Sequence, residues 1–308
     1  MFDFVGVGNP VYDSIITPLS RTNGRVLSGC STNACLASKR LGSDRVGLVG
    51  SVGADYVGRF RDDMRRYGIE ARVNATSKET GGFHLVYDSR GDRTLDVLGV
   101  AGSITKDSFP HEFLQSRFTL IGPILGEVDL ALIEFLRSST SSRLFLDPQG
   151  LVRSIGSDKR VIHECNVEEF RKIANLVDFV KPNEHESETI TREVDPILAL
   201  RRLSQMGARV PIITLAERGS LLLDGNRLHR IPAYPTEAVD PTGAGDVYGG
   251  SFITELQRCG DLVEAALFAS AAASIMVEQV GPDFRLVRKE VDERKEAIRD
   301  RLITETFS

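Results

Sequence analysis

The 308-residue sequence has no CxxC pair, no apolar run long enough to cross a bilayer and no excess of positive charge, and each lack removes a class of protein. Cys30, Cys35, Cys165 and Cys259 interleave with no histidine ligand set, so neither a zinc ribbon nor a disulfide scaffold is supported and reduced thiols are expected. The longest apolar run, Ala265–Val277, falls short of the roughly 20 residues a bilayer needs. It is bracketed by Glu264 and Glu278 and reads as a buried helix. With 38 basic and 43 acidic residues the net charge is −5, which argues against a nucleic-acid backbone as partner. No basic stretch followed by an apolar one opens the chain, so a cytoplasmic location, with no membrane partner, is the expectation.

Several familiar motifs are also missing. Gly6-Val7-Gly8-Asn9-Pro10-Val11 starts like a dinucleotide fingerprint, but Val11 stands where the third glycine belongs and Pro10 where the helix would begin. There is no GxxxxGK[ST], no HRD loop and no HExxH. The five histidines form no i,i+4 ligand pair and read as ordinary surface or structural residues.

What is present is an alternation of short apolar runs with helical patterns. Phe4–Val7, Val46–Val49, Phe118–Ile121, Leu144–Leu146, Val177–Val180 and Ile212–Leu215 are strand candidates. Asn33–Leu41, Tyr56–Tyr67, Leu130–Ser138 and Ile197–Met206 are candidate helices that could cover them, giving an α/β fold with a mostly parallel sheet. Phe83–Tyr87 and Arg93–Val97 flank a turn-rich segment and predict a hairpin. Residues 12–27 and 81–100 then form either a small β-lid over a site or an edge hairpin with no role in binding. The tail from Arg285 to Arg301 reads as a solvated surface helix.

Ala238 to Phe252 carries the most chemical information. Pro241, Gly243 and Gly245 shape a turn that leads into a helix from Asp246 to Gln257, whose free N–H groups and dipole make a site for anionic oxygens. Asp246 would repel a phosphate there unless it faces a second reactant, which suggests a general base for an attacking hydroxyl. The competing reading is an acid that only caps the helix.

Asp240-Pro241-Thr242-Gly243-Ala244-Gly245-Asp246 followed by Val247-Tyr248-Gly249-Gly250 resembles the C-terminal signature of the ribokinase-like (PfkB) sugar kinases. Ser28-Gly29-Cys30-Ser31-Thr32-Asn33-Ala34 is similar to the family's GGxxxNxA element, and Gly50 to Gly58 to its GxVGxDxxG stretch. Asn183 to Glu186 resembles NxxE, and Thr214 to Gly219 the TxGxxG loop. Ser28 and Ala216 stand where the family has glycine.

The resemblance spans nearly the whole chain and implies one kinase domain, residues 1–308, with a three-layer α/β/α core and a β-lid. It implies ATP and Mg²⁺ as cofactors, with a monovalent cation as a further candidate, and a homodimer through the lid as a candidate assembly. Carried over, Asp246 is the base and Gly243, Ala244 and Gly245 the anion hole. Asp13, Gly29 and Asn33 would hold acceptor hydroxyls. Asn183 and Glu186 would act through Mg²⁺ and water, Thr214 and Gly219 would lie by the nucleotide, and Gly281 would border the adenine. Taken singly, Asp13 and Asn33 also fit turn and cap roles.

Asp147-Pro148-Gln149-Gly150-Leu151-Val152-Arg153 resembles a stretch of inositol-kinase-like members, so Gln149 and Arg153 are candidate specificity residues; Arg153 could instead form a structural ion pair. Three functions stay open: a sugar or polyol kinase, a nucleoside kinase using Phe83, Tyr12 or Tyr87 against a base, and a sugar-binding member without catalysis.

Overall fold

In the computed structural model, which describes residues 1–76, 78–88 and 93–306, the chain opens with β1 (Phe2–Val7), β2 (Val11–Ile16), β3 (Val26–Ser28) and the helix α1 (Cys30–Arg40). β4 (Val46–Gly53), α2 (Val57–Tyr67) and β5 (Glu70–Thr76) form a first crossover, followed by β6 (Gly82–Tyr87) and β7 (Arg93–Gly99). Then come β8 (Ser116–Ile121), α3 (Leu130–Ser139), β9 (Arg143–Leu146) and the short strands β10 (Arg153–Ile155) and β11 (Val161–His163). Next are α4 (Val167–Ala174), β12 (Phe179–Val180), α5 (Glu184–Thr191), α6 (Pro196–Gln205) and β13 (Val210–Thr214). The chain ends with β14 (Ser220–Asp224), β15 (Arg227–Ile231), α7 (Ala244–Cys259), α8 (Leu262–Met276), α9 (Arg288–Arg299) and β16 (Ile303–Thr306).

One sheet runs in the order β16-β15-β14-β13-β12-β9-β8-β1-β4-β5. From β13 to β5 every neighbouring pair is parallel, and β13 to β16 pair antiparallel. The central strands are apolar without alternation because both faces are covered. Phe4, Leu120, Phe145, Phe179 and Ile212 join one core with residues of α1, α7 and α8. Their neighbours Val5, Ile121, Leu146, Val180 and Ile213 join a second core with α3, α4 and α6. This strict division is the three-layer α/β/α arrangement.

A second sheet, in the order β3-β2-β6-β7, carries the expected hairpin and pairs it with β2. The turn residues Ser89 to Asp92 lie outside the described residues. Thr17 Oγ1, just past β2, donates to the Val239 carbonyl at 2.9 Å, and Tyr87 Oη lies 3.0 Å from Thr242 Oγ1, so this sheet touches the loop before α7 at two points.

Other sequence readings are refined. The strand read over Val177–Val180 is confined to Phe179–Val180, and the antiparallel extension β14–β16 and the β10–β11 pair were not expected. The apolar run is α8, buried along most of its length. The tail helix α9 is solvated on one side only, because Val291, Lys295 and Ile298 are buried. All four cysteines are free. Among the described residues no helix is long and apolar enough to cross a membrane.

Candidate active site

Parallel strands place the residues that follow them along one sheet edge, and here that edge gathers chemistry. Asp147 follows β9 and Lys181 follows β12; their side chains pair at 2.8 Å, each 3% exposed. Asn183 bridges the strand end at Thr214. From the opposite side come the starts of two packed helices, α1 and α7. Gly250 makes the approach possible, since a methyl group there would lie 2.3 Å from the Ala34 carbonyl.

Asp246 lies in the first turn of α7 and is partly exposed. Asn33 Nδ2 donates to its Oδ2 at 2.9 Å and Gln149 Nε2 to its Oδ1 at 3.1 Å. The two amides that sequence reading assigned to the acceptor therefore hold the carboxylate, one on each oxygen. Asp246 does not cap its own helix: the cap residue is Gly243, and no side chain caps it.

Around that helix start, Ala244 N–H donates to the Pro241 carbonyl at 3.2 Å. Ala244, expected in the anion hole, is thus engaged by the turn that Pro241 closes. The amides of Gly243, Gly245 and Asp246 have no acceptor among the described residues and form the nest. Gly243 has φ 83°, and a methyl group there would lie 2.7 Å from Asn33 Nδ2. Lys181 Nζ approaches the position of a methyl on Gly245 to 3.4 Å, so a fixed cation sits under the nest. Burial lowers the Lys181 pKa, but Asp147 and Glu186 outweigh it and hold the ammonium above its ordinary range. Sequence reading missed Lys181 because a lone lysine before Pro-Asn carries no spacing signal.

Asn183 and Glu186 form a reciprocal capping box on α5: Glu186 N–H donates to Asn183 Oδ1 at 2.8 Å and Asn183 N–H to Glu186 Oε2 at 2.9 Å. Glu186 is 3% exposed, and its carboxyl is raised by burial and by Asp147 against the pull of Arg153 and Lys181. Asp13 is buried, accepts the Phe83 amide at 2.7 Å and the Ser28 hydroxyl, and is pushed up to about 6 by burial. Ser28, a departure from the family glycine, is therefore turned onto Asp13. Gly29 (φ 111°) precedes α1 directly.

Arg153 is 9% exposed and makes no ion pair within 4 Å among the described residues; its Nη1 donates to the Ile124 carbonyl at 3.4 Å. Tyr12 is fully buried, stacked on Tyr56 at 4.4 Å with its hydroxyl on Asp63, and is not available to a base. Phe83 and Tyr87 are 4% and 7% exposed. Thr214 ends β13 and Gly219 (φ 89°) closes the following turn; Gly281 (φ 72°) follows α8 with open space around its Cα. His163 stands edge-on to His185 at 4.6 Å and is pushed down to about 4 by burial and by the charges of His185, Arg153 and Arg93.

Two cation sites can be tested on these atoms. Glu186 carries a carboxylate oxygen, Oε1, beyond the one that accepts the Asn183 amide, of the hard kind that would suit Mg²⁺ or its waters. Cys30, whose sulfur lies within 4.8 Å of carboxylate oxygens of Asp147 and Asp246, is kept as a thiol by burial and those acids and is no Mg²⁺ ligand. Asp240 is fully buried, with Oδ1 accepting the Thr242 amide at 2.9 Å and Oδ2 without a hydrogen-bond partner among the described residues. Such an oxygen fits a monovalent cation.

Residues 16–288 match the model of the pfkB family of carbohydrate kinases. The cytidine kinase of Thermococcus kodakarensis is 28% identical over 287 residues, covering 91% of this chain and 98% of that one. A pyrophosphate-dependent kinase of the ribokinase family, solved with a pyrophosphate analogue and myo-inositol, superposes with a TM-score of 0.81 at 22% identity, covering 94% of this chain and 99% of that one. A ribokinase II from E. coli, solved with ATP and Mg²⁺, superposes with a TM-score of 0.76 at 19% identity, covering 96% of this chain and all (100%) of that one. The family model thus spans most of the sequence and includes the helix start that carries Gly243 and Asp246. The chain belongs to the pfkB carbohydrate kinases and is a phosphotransferase that uses a hydroxyl group as acceptor.

Proposed function

We propose that this kinase transfers the γ-phosphoryl group of ATP to a hydroxyl of a small sugar or polyol. The observation that carries the reading is Asp246, oriented by Asn33 and Gln149 and set beside unpartnered amides on the start of α7. Asp246 takes the proton of the attacking hydroxyl, and the amides of Gly243, Gly245 and Asp246 receive the charge of the phosphoryl oxygens. Asp13 accepts acceptor hydroxyls, with Gly29, Asn33 and Gln149 beside it and the buried Arg153 as a further specificity residue. Thr214, Gly219 and Gly281 face the nucleotide. Glu186 and Asn183 would hold Mg²⁺ through water, and the ion supplies neutralisation of the triphosphate charge when bound. The second sheet acts as a lid over the cleft, and dimerisation through it belongs to the same reading.

A nucleoside acceptor is the second reading, favoured by the 28% identity to a cytidine kinase along 98% of that protein. Turnover assays with ribose, fructose, myo-inositol and cytidine, each offered ATP or pyrophosphate, decide between the readings. Turnover of cytidine alone would overturn the sugar or polyol acceptor, and turnover only with pyrophosphate would overturn the donor. For the monovalent cation, K⁺ replacing a bulky organic cation should raise kcat in the wild type and leave Asp240→Asn indifferent; equal rates in both salts would remove that cofactor.

A further inference from the structure

The Gly6-Val7-Gly8-Asn9 stretch, which starts like a dinucleotide fingerprint, has no part in the kinase reading so far. A methyl group on Gly8 would lie 2.2 Å from the Gly122 carbonyl, so this glycine lets the end of β1 close on the end of β8. One side chain ties the two ends together. Glu127, 4% exposed, accepts the Asn9 and Ile124 amides on Oε1 at 2.9 and 2.8 Å and the Leu125 amide on Oε2 at 2.8 Å. Three main-chain N–H groups thus complete a buried carboxylate. Asn9 extends the node: its Oδ1 accepts the Ser51 amide of β4 at 2.7 Å, and its Nδ2 donates at 2.7 Å to the Gly102 carbonyl, where the chain returns from the second sheet.

The segments that Glu127 holds lead directly to the acceptor side of the site. Arg153 donates to the carbonyl of Ile124, whose own amide is on Glu127. The Gly126 amide donates at 2.9 Å to the carbonyl of Gly150, the neighbour of Gln149, which orients Asp246. Gly150 fits there because it has no side chain: a methyl group would lie 2.4 Å from the Pro123 carbonyl carbon. The Asn9 carbonyl would lie 3.0 Å from a methyl on Gly29, and four residues past Asn9 the chain carries Asp13. We propose that Glu127 is a positioning residue of the acceptor pocket, fixing the ends of β1 and β8 so that Gln149, Arg153, Gly29 and Asp13 are set before the acceptor arrives. This inference rests on the acceptor assignment made above. A carboxylate suits the task because it offers only acceptors to three donors, whereas a glutamine would turn an NH₂ against at least one of them. Loops ordered in advance spare the acceptor the entropy of arranging them on binding.

Kinetics, thermal unfolding and hydrogen exchange are measured on wild type, Glu127→Gln, Glu127→Asp and Asp178→Asn, with whichever acceptor of the panel turns over. Asp178 is the control: it also accepts a main-chain amide, from Leu144 at 2.8 Å, but it precedes β12 and so lies at the strand ends away from the cleft. Glu127→Gln and Asp178→Asn should both melt below wild type. Only Glu127→Gln should lose kcat/KM for the acceptor, by roughly 10- to 100-fold, while KM for ATP stays within about threefold. Glu127→Asp, which keeps two acceptor oxygens on a shorter arm, should recover part of that loss. In Glu127→Gln, exchange should quicken at residues 122–127 and 149–153 and stay as in wild type along α5. Unchanged kcat/KM for the acceptor, an equal loss in Asp178→Asn, or a KM for ATP raised by the same factor would overturn the assignment. If Glu127→Gln does not fold, Glu127→Asp decides, and an acceptor kcat/KM equal to wild type in that folded chain would overturn it as well. Absence of turnover by the wild type would instead overturn the kinase reading. Exchange at residues 122–127 and 149–153 needs no substrate and still tests the positioning, which unchanged rates would overturn.

Discussion

Asp246 accepts one amide on each oxygen, from Asn33 and Gln149, and this fixes what its replacement should do. Asn at this position keeps one acceptor oxygen and turns an NH₂ toward a donor, so both proton acceptance and alignment are lost. Asp246→Asn should lower kcat by roughly a thousandfold with little change in nucleotide affinity, measured by steady-state kinetics and ATP titration. Asp13 gives a pH signature. Its carboxyl is pushed from 3.8 to about 6 by burial, against the hydrogen bonds of Ser28 and the Phe83 amide. The folded chain binds this proton more tightly than the unfolded chain, so the associated stability is full below 3.8 and is lost as pH rises through about 6, on the order of 3 kcal/mol in all. Acceptor binding moves the other way, because the ionised form accepts hydroxyls. We expect kcat/KM for the acceptor to fall on the acid side of about pH 6, and Asp13→Asn to lose that limb, bind acceptor weakly and melt higher than wild type near neutral pH. Equal melting points at neutral pH would contradict the buried charge.

At the scale of elements, the start of α7 combines a left-handed glycine with contact to α1. Gly243→Ala forces φ 83° on an alanine and places a methyl 2.7 Å from the Asn33 amide. It should cost roughly 1–2 kcal/mol of stability and also displace Asn33 from Asp246, lowering kcat; thermal unfolding and turnover report the two losses separately. The loop after β13 gives the opposite case. Ala216 occupies φ 52° where the family pattern has glycine. Ala216→Gly relieves about 1–2 kcal/mol of left-handed strain and gives back about 0.4–1 kcal/mol in chain entropy. A rise of about 2 °C in melting temperature is the expected net effect, and a fall would show that the alanine is otherwise compensated.

For the whole molecule, the second sheet meets the loop before α7 through Thr17 and Tyr87. If that contact closes the cleft, Tyr87→Phe, which keeps the ring and removes the hydroxyl, should raise ATP hydrolysis relative to transfer by several-fold in coupled assays. A ratio equal to wild type would leave the small sheet without a closing role.

Much of this architecture is legible in local pattern. The continuous apolar strands, the small-residue helix after Gly243 and the turn-flanked hairpin are each written in adjacent residues, because strand and helix periods and glycine conformations are short-range properties. The base itself could be picked out the same way, since Asp246 is three residues from the glycine that opens its helix. Partners across the fold could not. Asn33 and Gln149 on Asp246, Lys181 on Asp147, Ser28 on Asp13 and Tyr87 on Thr242 join residues brought together by the parallel crossovers and the folded-over second sheet. The engagement of Ala244 by Pro241 likewise depends on how tightly that turn closes. Sequence determined which helix start would gather negative charge; tertiary packing decided which side chains face it, because burial and electrostatics act through space while periodicity acts along the chain.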